Sequence, residues 1–313
     1  MKQRFAHIRN WLDQPVSIAP LVSFRLVFGL VMLFSTLRFW YLGWIEEHFI
    51  DTQFTFKFYG FEWVQLLPPA GMYALHILMV LGALGVLLGL FYRLSAAVFF
   101  LSFTYVWLID LTYYLNHYYF VSSIAFLLIF VPAHHRFSLD CRRRPGLQRM
   151  QAPRWAVDIF KWQIAIVYLY AGLAKINSDW LLAALPLKIW LPANDRLPFI
   201  GWLFEWAWMP WIFSWLGMLY DTTIVLWLSW WRTRLLAYVS VVVFHSLTGL
   251  LFQIGVFPLV MIGATWIFFS ENFHERLLRF LETTARFFPA PNGVRRYGNP
   301  VRCTATWLTS LLI

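Results

Sequence analysis

The stretch ALHILMVLGALGVLLGLFYRLSAAVFFLSFTYVWLID, residues 74–110, contains two long apolar runs separated only by the pair Tyr92 and Arg93. Each run approaches the roughly 20 residues that a helix needs to cross the hydrocarbon core of a bilayer. A two-residue link between two such helices makes them antiparallel neighbours. The stretch therefore predicts a helical hairpin that spans a membrane twice.

Similar apolar runs recur along the chain, which is 60% hydrophobic and 13% charged. Soluble domains carry about a quarter charged residues, so most of this exterior must face lipid. We predict an all-α, polytopic membrane helix bundle of about eight transmembrane helices. The predicted spans lie near residues 20–42, 70–91, 94–113, 117–133, 157–174, 210–230, 235–251 and 253–270.

The positive charges predict the orientation of the bundle. With the N-terminus inside, the inner segments hold 19 of the 25 Lys and Arg, the outer segments hold four, and Arg25 and Arg38 lie in the first span. This asymmetry follows the positive-inside rule and explains the net charge of +10 without a nucleic-acid partner. We expect residues 1–19 to be cytoplasmic, 20–270 to form the transmembrane domain and 271–313 to be a basic, cytoplasmic, partly disordered tail.

Two long outer loops, near residues 43–69 and 175–209, are rich in aromatic residues. Such residues favour the membrane interface, so we expect both loops to cover the outer mouth of the bundle.

The two cysteines, Cys141 and Cys303, lack the spacing of metal ligands, and one distant pair does not make a disulfide framework. No metal site is expected.

Ionisable side chains within the spans are candidates for function. Each costs at least about 2.5–3.5 kcal/mol to insert and usually has a partner or a role. Five stand out: Asp110, His117, Lys175, Asp221 and His245.

Each of these residues also has a structural interpretation. Lys175 ends the fifth span and either extends to the outer interface or, partly desolvated, acts as a base. Asp110 either caps a helix end or binds Asn116, or it serves a site. His117 either lies in an interfacial turn or orients a substrate.

Asp221 and His245 are predicted to pair. Both lie near the middle of antiparallel neighbouring spans, about 15 Å from the helix ends at about 1.5 Å per residue. The pair is either a polar clip between two helices or part of a site.

Five segments in the same order resemble the vitamin K-dependent γ-glutamyl carboxylase family, also called the horizontally transferred transmembrane domain family, and especially its bacterial members. The resemblance runs from about residue 25 to about residue 273. The segments are FKFYGFEW (56–63), IDLTYYLNHYYF (109–120), FVPAHHRFSLD (130–140), IVYLYAGLAKINSDW (166–180) and FHSLTGLLFQIGVFP (244–258).

The resemblance implies a chemistry and assigns residues to it. The family's enzymes oxygenate reduced vitamin K to its epoxide and couple this to CO2 addition at protein Glu. The segment AGLAK aligns Lys175 with the family's catalytic base, NHYY aligns His117 with an active-site histidine, and FHSLTG aligns His245 with a histidine near the quinone. Asn116, Tyr118, Asp110 and Asp221 are then expected to contact the cofactor, which is reduced vitamin K or another membrane quinone.

The expected partners are membrane lipid, the quinone and a secreted Glu-containing protein, in the bacterial inner membrane. Two departures limit the resemblance. The animal enzymes have two adjacent lysines where this chain has Ala174 and Lys175. They also continue into another span and a large outer domain, so either the sequence is truncated or the family core works differently here.

Two other functions stay open on the sequence. A transporter would use the buried Asp and His as relay groups, although the sequence has no evident inverted repeat. A non-catalytic scaffold would use the same residues as polar clips between helices.

Overall fold

The predicted spans each correspond to an apolar helix in the computed structural model, which describes residues 2–198, 200–252 and 254–284. In chain order the first half contains α1 (Lys2–Leu12), β1 (Pro15–Ser17), α2 (Ala19–Tyr41), α3 (Pro69–Leu88), α4 (Tyr92–Leu108), α5 (Asn116–Phe130) and α6 (Leu139–Arg143). The second half contains β2 (Gln151–Pro153), α7 (Arg154–Leu173), α8 (Ser178–Leu181), α9 (Leu185–Trp190), α10 (Met209–Ser229), α11 (Arg234–Leu251), α12 (Phe257–Ala264) and α13 (Glu271–Thr284). The predicted all-α membrane bundle is confirmed.

Five of these helices, α2, α3, α7, α10 and α11, are long and apolar enough to cross a membrane. The other three predicted spans, α4, α5 and α12 with its 3-10 extension to Phe268, are shorter apolar helices. Large apolar side chains point outward from the bundle, as Leu235, Leu236 and Val243 of α11 do with 60–73% of their surface exposed. Such a surface suits lipid and not water, so the chain is an integral membrane protein.

The predicted third span ends early, at Leu108 rather than near residue 113. Asp110 has extended backbone angles, and its side chain accepts a hydrogen bond from the N–H of Thr112 to cap a short 3-10 turn. A second backbone N–H, that of Phe56, also donates to this carboxylate. The helix ends here because Asp110 offers the backbone an alternative set of hydrogen bonds.

Helix α2 lies at the centre of the bundle and packs against α3, α12 and α13. Phe24 stacks at a tilt on Phe160 of α7, with 4.6 Å between ring centroids. Gly29 lets α3 approach closely, since a β-carbon there would lie 2.7 Å from the backbone of Leu87. This packing places α7 and α12, two of the helices that carry the candidate site, and α7 in turn packs against α10.

The end of the bundle that the charges predict to be inner is tied together by ion pairs. Arg136, which is 1% exposed, donates to Glu275 at 2.8 Å and to Glu282 at 2.9 Å, both on α13. His274 is fully buried, and its Nδ1 lies 2.6 Å from the Ser23 hydroxyl. The tail predicted from residue 271 therefore begins with a packed amphipathic helix; residues 285–313 lie outside the described part of the chain.

The opposite end, predicted to be outer, is covered by the second aromatic loop. Trp180 donates its indole N–H to the carbonyl of Ser214 in α10, at 3.1 Å. Trp211 and Trp215 donate in return to the carbonyls of Leu182 and Leu181. These reciprocal bonds hold α8 against the outer end of α10, beside the point where α7 ends.

Candidate active site

Lys175 lies two residues beyond α7 and turns back toward the bundle. Its ammonium contacts the Asp221 carboxylate of α10 at 2.6 Å and the Ala171 carbonyl at 3.1 Å. The side chains are 20% and 6% exposed, respectively. The lysine therefore does not extend to the interface: it forms a partly buried ion pair between two spans.

The sequence of α7 explains how the two helices come this close. A β-carbon at Gly172 would lie 2.5 Å from the Thr222 methyl group and 2.9 Å from its backbone nitrogen. A glycine is therefore required where α7 crosses α10, one turn before the lysine. Thr222 is the neighbour of Asp221, so the same crossing places the carboxylate within reach of the ammonium.

His245 bonds to a residue that the sequence did not single out. Its Nε2 lies 2.8 Å from the Tyr168 hydroxyl of α7. The predicted Asp221–His245 pair is therefore wrong, because each residue has another partner on α7. Depth alone suggested the pair, and it could not show that α7 supplies a nearer partner for each of them.

Phe257, the first residue of α12, lies between the two predicted histidines. Its ring centroid is 5.2 Å from that of His117 and 5.4 Å from that of His245. Both histidines are buried, with 5% and 2% of their surface exposed. The structure thus brings His117 and His245 to one aromatic cluster.

Tyr220 links this cluster to the ion pair. It precedes Asp221 on α10 and stacks on Phe244, with 4.0 Å between ring centroids. Its ring also lies 6.4 Å from His245 and 6.0 Å from Tyr168. Lys175, Asp221, Tyr220, Tyr168, His245 and His117 therefore form a series of neighbours that crosses from α7 and α10 to α5.

Two polar atoms in this series are buried without a hydrogen-bond partner in the described residues. They are the hydroxyl oxygen of Tyr220 and Nδ1 of His245. An unpaired buried nitrogen costs about 1–3 kcal/mol, which a ligand oxygen or hydroxyl would recover. The rings of Tyr220, Phe244 and Phe257 surround this histidine, with centroids 5.3–6.4 Å from its own.

The residues predicted to contact a cofactor separate into two groups. Tyr118 lies beside His117, with 4.6 Å between ring centroids, and Asp221 holds Lys175. Asp110 is 3% exposed and bonds to Phe56 and Thr112 rather than to Asn116, which supports the capping alternative. Asn116 is the exposed first residue of α5.

An apolar groove lies one turn deeper in the bundle than His117. It is bounded by α2, α5 and α12, with Phe28, Ile124 and Ala264 among its lining residues. Lys175, His117 and His245 do not line it. This groove is therefore not the cavity expected for the three residues, and a shared cavity stays a prediction.

The sequence analysis did not single out Tyr168 or Trp180. Of the two, only Tyr168 has a spacing that could have indicated its place in the site. Tyr168 precedes Lys175 by seven residues, which places both on one face of a helix. Trp180 lies in the loop, and its ring is 5.3 Å from the Lys175 ammonium. No helical periodicity connects it to the site.

Most of the chain matches a known protein family. The model of the HTTM domain family matches residues 13–273. This chain belongs to the HTTM domain family. The domain is that of vitamin K-dependent carboxylase-like proteins, so the chain is a carboxylase-like membrane protein. No solved structure matches it significantly, and its assignment to the bacterial γ-glutamyl carboxylases stays a prediction.

Proposed function

We propose that this HTTM protein oxidises a reduced membrane quinone with O2, and that the Lys175–Asp221 pair is the base. The observation that carries the proposal is the partly buried ion pair at 2.6 Å, beside an aromatic cluster with an unpaired histidine nitrogen. Reduced vitamin K or another quinol would fit, since it offers a flat ring and hydroxyl groups. The oxidation itself is chemistry that the bound quinol would supply.

The two groups are close enough to exchange a proton directly. Lys175 as an ammonium is no base, but moving its proton across 2.6 Å to Asp221 gives a free amine beside a neutral carboxylic acid. The amine then accepts a proton from a quinol hydroxyl, which leaves Lys175 as an ammonium and Asp221 as an acid.

The other residues position the ring and exclude water. The Tyr168 hydroxyl holds one nitrogen of His245, which leaves Nδ1 for a ligand oxygen. His117 also contacts Phe257 and would approach the quinol ring from that residue. The Trp180 ring covers Lys175 on the loop side, so the base is shielded from solvent.

The proposal extends to a secreted, Glu-containing protein as the acceptor of CO2 and to the bacterial inner membrane as the location. Both rest on the family alone. CO2 addition requires a strong base formed during quinol oxidation, so oxidation is the step to test first.

The test is quinol oxidation by purified protein in detergent. We expect Lys175→Ala to lower the rate by about 10²–10⁴-fold, the range for general-base catalysis. An added small amine at raised pH should restore part of the rate. Lys188→Gln is the matched control, because Lys188 is a second outer lysine whose ammonium packs 4.1 Å over Trp211, outside the site.

A Lys175→Ala protein that oxidises quinol as fast as the wild type would reject the base. A wild-type protein without any quinol oxidation would instead favour the scaffold. The two inter-helix bonds, Lys175–Asp221 and Tyr168–His245, are the observation that supports this second candidate.

A further inference from the structure

The turn between α3 and α4 presents an aromatic ring at the predicted inner end of the bundle. Phe91 is 54% exposed and has a left-handed backbone conformation, with φ of 42°. A residue other than glycine keeps such a conformation only where its surroundings enforce it. The Asp140 carboxylate does so, because its two oxygens accept the backbone N–H groups of Phe91 and Tyr92, each at 2.9 Å. Asp140 therefore fixes a turn whose aromatic ring stays exposed.

Arg143 packs over this ring. Its guanidinium carbon lies 4.0 Å from the centroid of the Phe91 ring. The arginine side chain is 47% exposed, and its nitrogen lies 3.8 Å from the Asp140 carboxylate. That distance is too long for a hydrogen bond, and both oxygens of the carboxylate already accept backbone N–H groups. The stacked guanidinium therefore presents N–H groups that an external anion can use.

Two further arginines add positive charge beside Arg143. Arg144 is the next residue and is exposed, and Arg93 lies in the first turn of α4, two residues after Phe91. In the described part of the chain, neither of them has a carboxylate within 4 Å. Three arginines thus accompany one carboxylate. This excess of positive charge is complementary to an anionic ligand.

The apolar surface next to the ring favours a lipid as the source of that anion. Leu94 and Leu101 of α4 are 65% and 64% exposed, and their spacing of seven residues places both on one face of the helix. Phe91 precedes Leu94 by three residues, at the inner end of this face. An acyl chain along the two leucines would therefore bring its headgroup to the level of Phe91 and Arg143. Aromatic rings and arginines are typical of this boundary between acyl chains and headgroups.

We propose that Arg143, stacked on Phe91 and supported by Arg144 and Arg93, binds the headgroup phosphate of an anionic phospholipid in the inner leaflet. The planar guanidinium matches two phosphate oxygens. The other two arginines add attraction that acts within a Debye length. Phosphatidylcholine has the same phosphate but carries its own cation, so it should bind less tightly.

This lipid site does not depend on the proposed quinol oxidation, because Lys175 lies at the opposite, outer end of the predicted topology. The Lys175→Ala protein should therefore bind the lipid like the wild type. Loss of quinol oxidation and loss of lipid binding are separable results.

A fluorescent reporter beside the ring tests the proposal. The full chain carries bimane on Leu94→Cys, with Cys303→Ser to remove a second thiol, while Cys141 is 1% exposed and protected from labelling. The protein is reconstituted in vesicles with rising fractions of spin-labelled phosphatidylglycerol or phosphatidylcholine. We expect phosphatidylglycerol to quench the bimane at about a tenfold lower fraction, since each arginine near a headgroup contributes roughly fivefold in affinity.

Variants of the arginine locate the effect. Arg143→Gln should reduce the preference for phosphatidylglycerol about fivefold, and Arg143→Lys should reduce it less, because the charge remains without the planar fork. Arg232→Gln is the matched control. Arg232 also packs over an exposed ring, 5.0 Å from that of Trp231, but on the link between α10 and α11. This control should keep the full preference.

Three results would overturn the proposal. The first is equal quenching by the two lipids in the wild type, or an unchanged preference in Arg143→Gln. The second is an equal loss in Arg232→Gln, which would indicate attraction to the overall charge of the inner surface. The third is relief of quenching by millimolar glycerol 3-phosphate at constant ionic strength, which would indicate a site for a soluble phosphate.

Discussion

Two paired cations, Arg136 and Lys175, lie at opposite ends of the bundle in different surroundings. Arg136 donates to two carboxylates of one helix, Glu275 and Glu282, and holds α13 on the bundle. Lys175 has one carboxylate partner, Asp221, and beyond the pair is an aromatic cluster with an unpaired nitrogen. A charge network in which every group has its hydrogen-bond partners stabilises a fold. A cation with one partner, beside polar atoms that lack hydrogen bonds, can still bind a ligand or take part in a reaction.

The largest expected effect is a loss of stability on replacing Arg136, which tests whether its ion pairs hold α13 on the bundle. Arg136→Met leaves two carboxylates without a counter-charge: Glu282, 5% exposed, and Glu275, which keeps only a hydrogen bond from the Ser17 hydroxyl. We expect the free energy of unfolding, measured by SDS titration in mixed micelles, to fall by about 3–5 kcal/mol. Arg143→Met is the control, because Arg143 is 47% exposed and 3.8 Å from Asp140, and it should cost at most about 1 kcal/mol. Equal losses of unfolding free energy in Arg136→Met and Arg143→Met would show that the buried Arg136 ion pairs stabilise the fold no more than the exposed Arg143 pair.

The next effect is the pH dependence of α13 docking. Burial is the main cause that lowers the pKa of His274 from 6.5 to about 4; the nearby Trp266 backbone and the Glu275 charge oppose this shift, and the charges of Lys161 and Arg234 add to it. The unfolded state binds a proton first, so stability is complete above pH 6.5 and is lost as the pH falls toward 4. The loss is about 3 kcal/mol at most.

Hydrogen exchange of residues 271–284, corrected for the intrinsic rate, measures this local effect. Global unfolding would not isolate it, because the pKa values of His134 and His135 are also lowered, to about 2 and about 4. In His274→Gln the protection of α13 should become nearly independent of pH in this window. Unchanged pH dependence in that variant would mean that His274 does not control docking.

The smallest expected effect tests the pairing of helices at the site end. Tyr168→Phe and His245→Ala should be non-additive in a double-mutant cycle of unfolding, with a coupling of about 0.5–2 kcal/mol. Asp221→Asn and His245→Ala should be additive, because these residues do not bond to each other. The reverse pattern would restore the Asp221–His245 pair and contradict the arrangement of α7.

The helical membrane bundle could be predicted from the sequence. Backbone polar groups in lipid must be paired within the chain, so a long apolar run forms a helix and can be recognised by its length. Family motifs in the sequence assign Lys175, His117 and His245 to a site, which stays a prediction, and the structure places both histidines against the ring of Phe257. The partners were less predictable. Whether Asp221 meets a lysine or a histidine depends on helix rotation and on the close crossing at Gly172, and single-sequence periodicity does not fix the contacts between distant helices.

Asp110 shows a second limit. A carboxylate near the end of a span is equally consistent with a helix cap and with a site residue, because capping and ligand binding use the same carboxylate oxygens. Only its three-dimensional neighbours, the backbone N–H groups of Phe56 and Thr112, distinguish the two.

The most direct measurement of the central claim is a double-mutant cycle of quinol oxidation at the ion pair. If Lys175 and Asp221 act as one base, Lys175→Ala and Asp221→Asn should each lower kcat strongly. The double variant should then be no slower than the slower single variant, because residues that act as a unit are non-additive. Effects that multiply in the double variant, or a wild-type rate in Asp221→Asn, would contradict a shared proton and leave Lys175 as a structural cation.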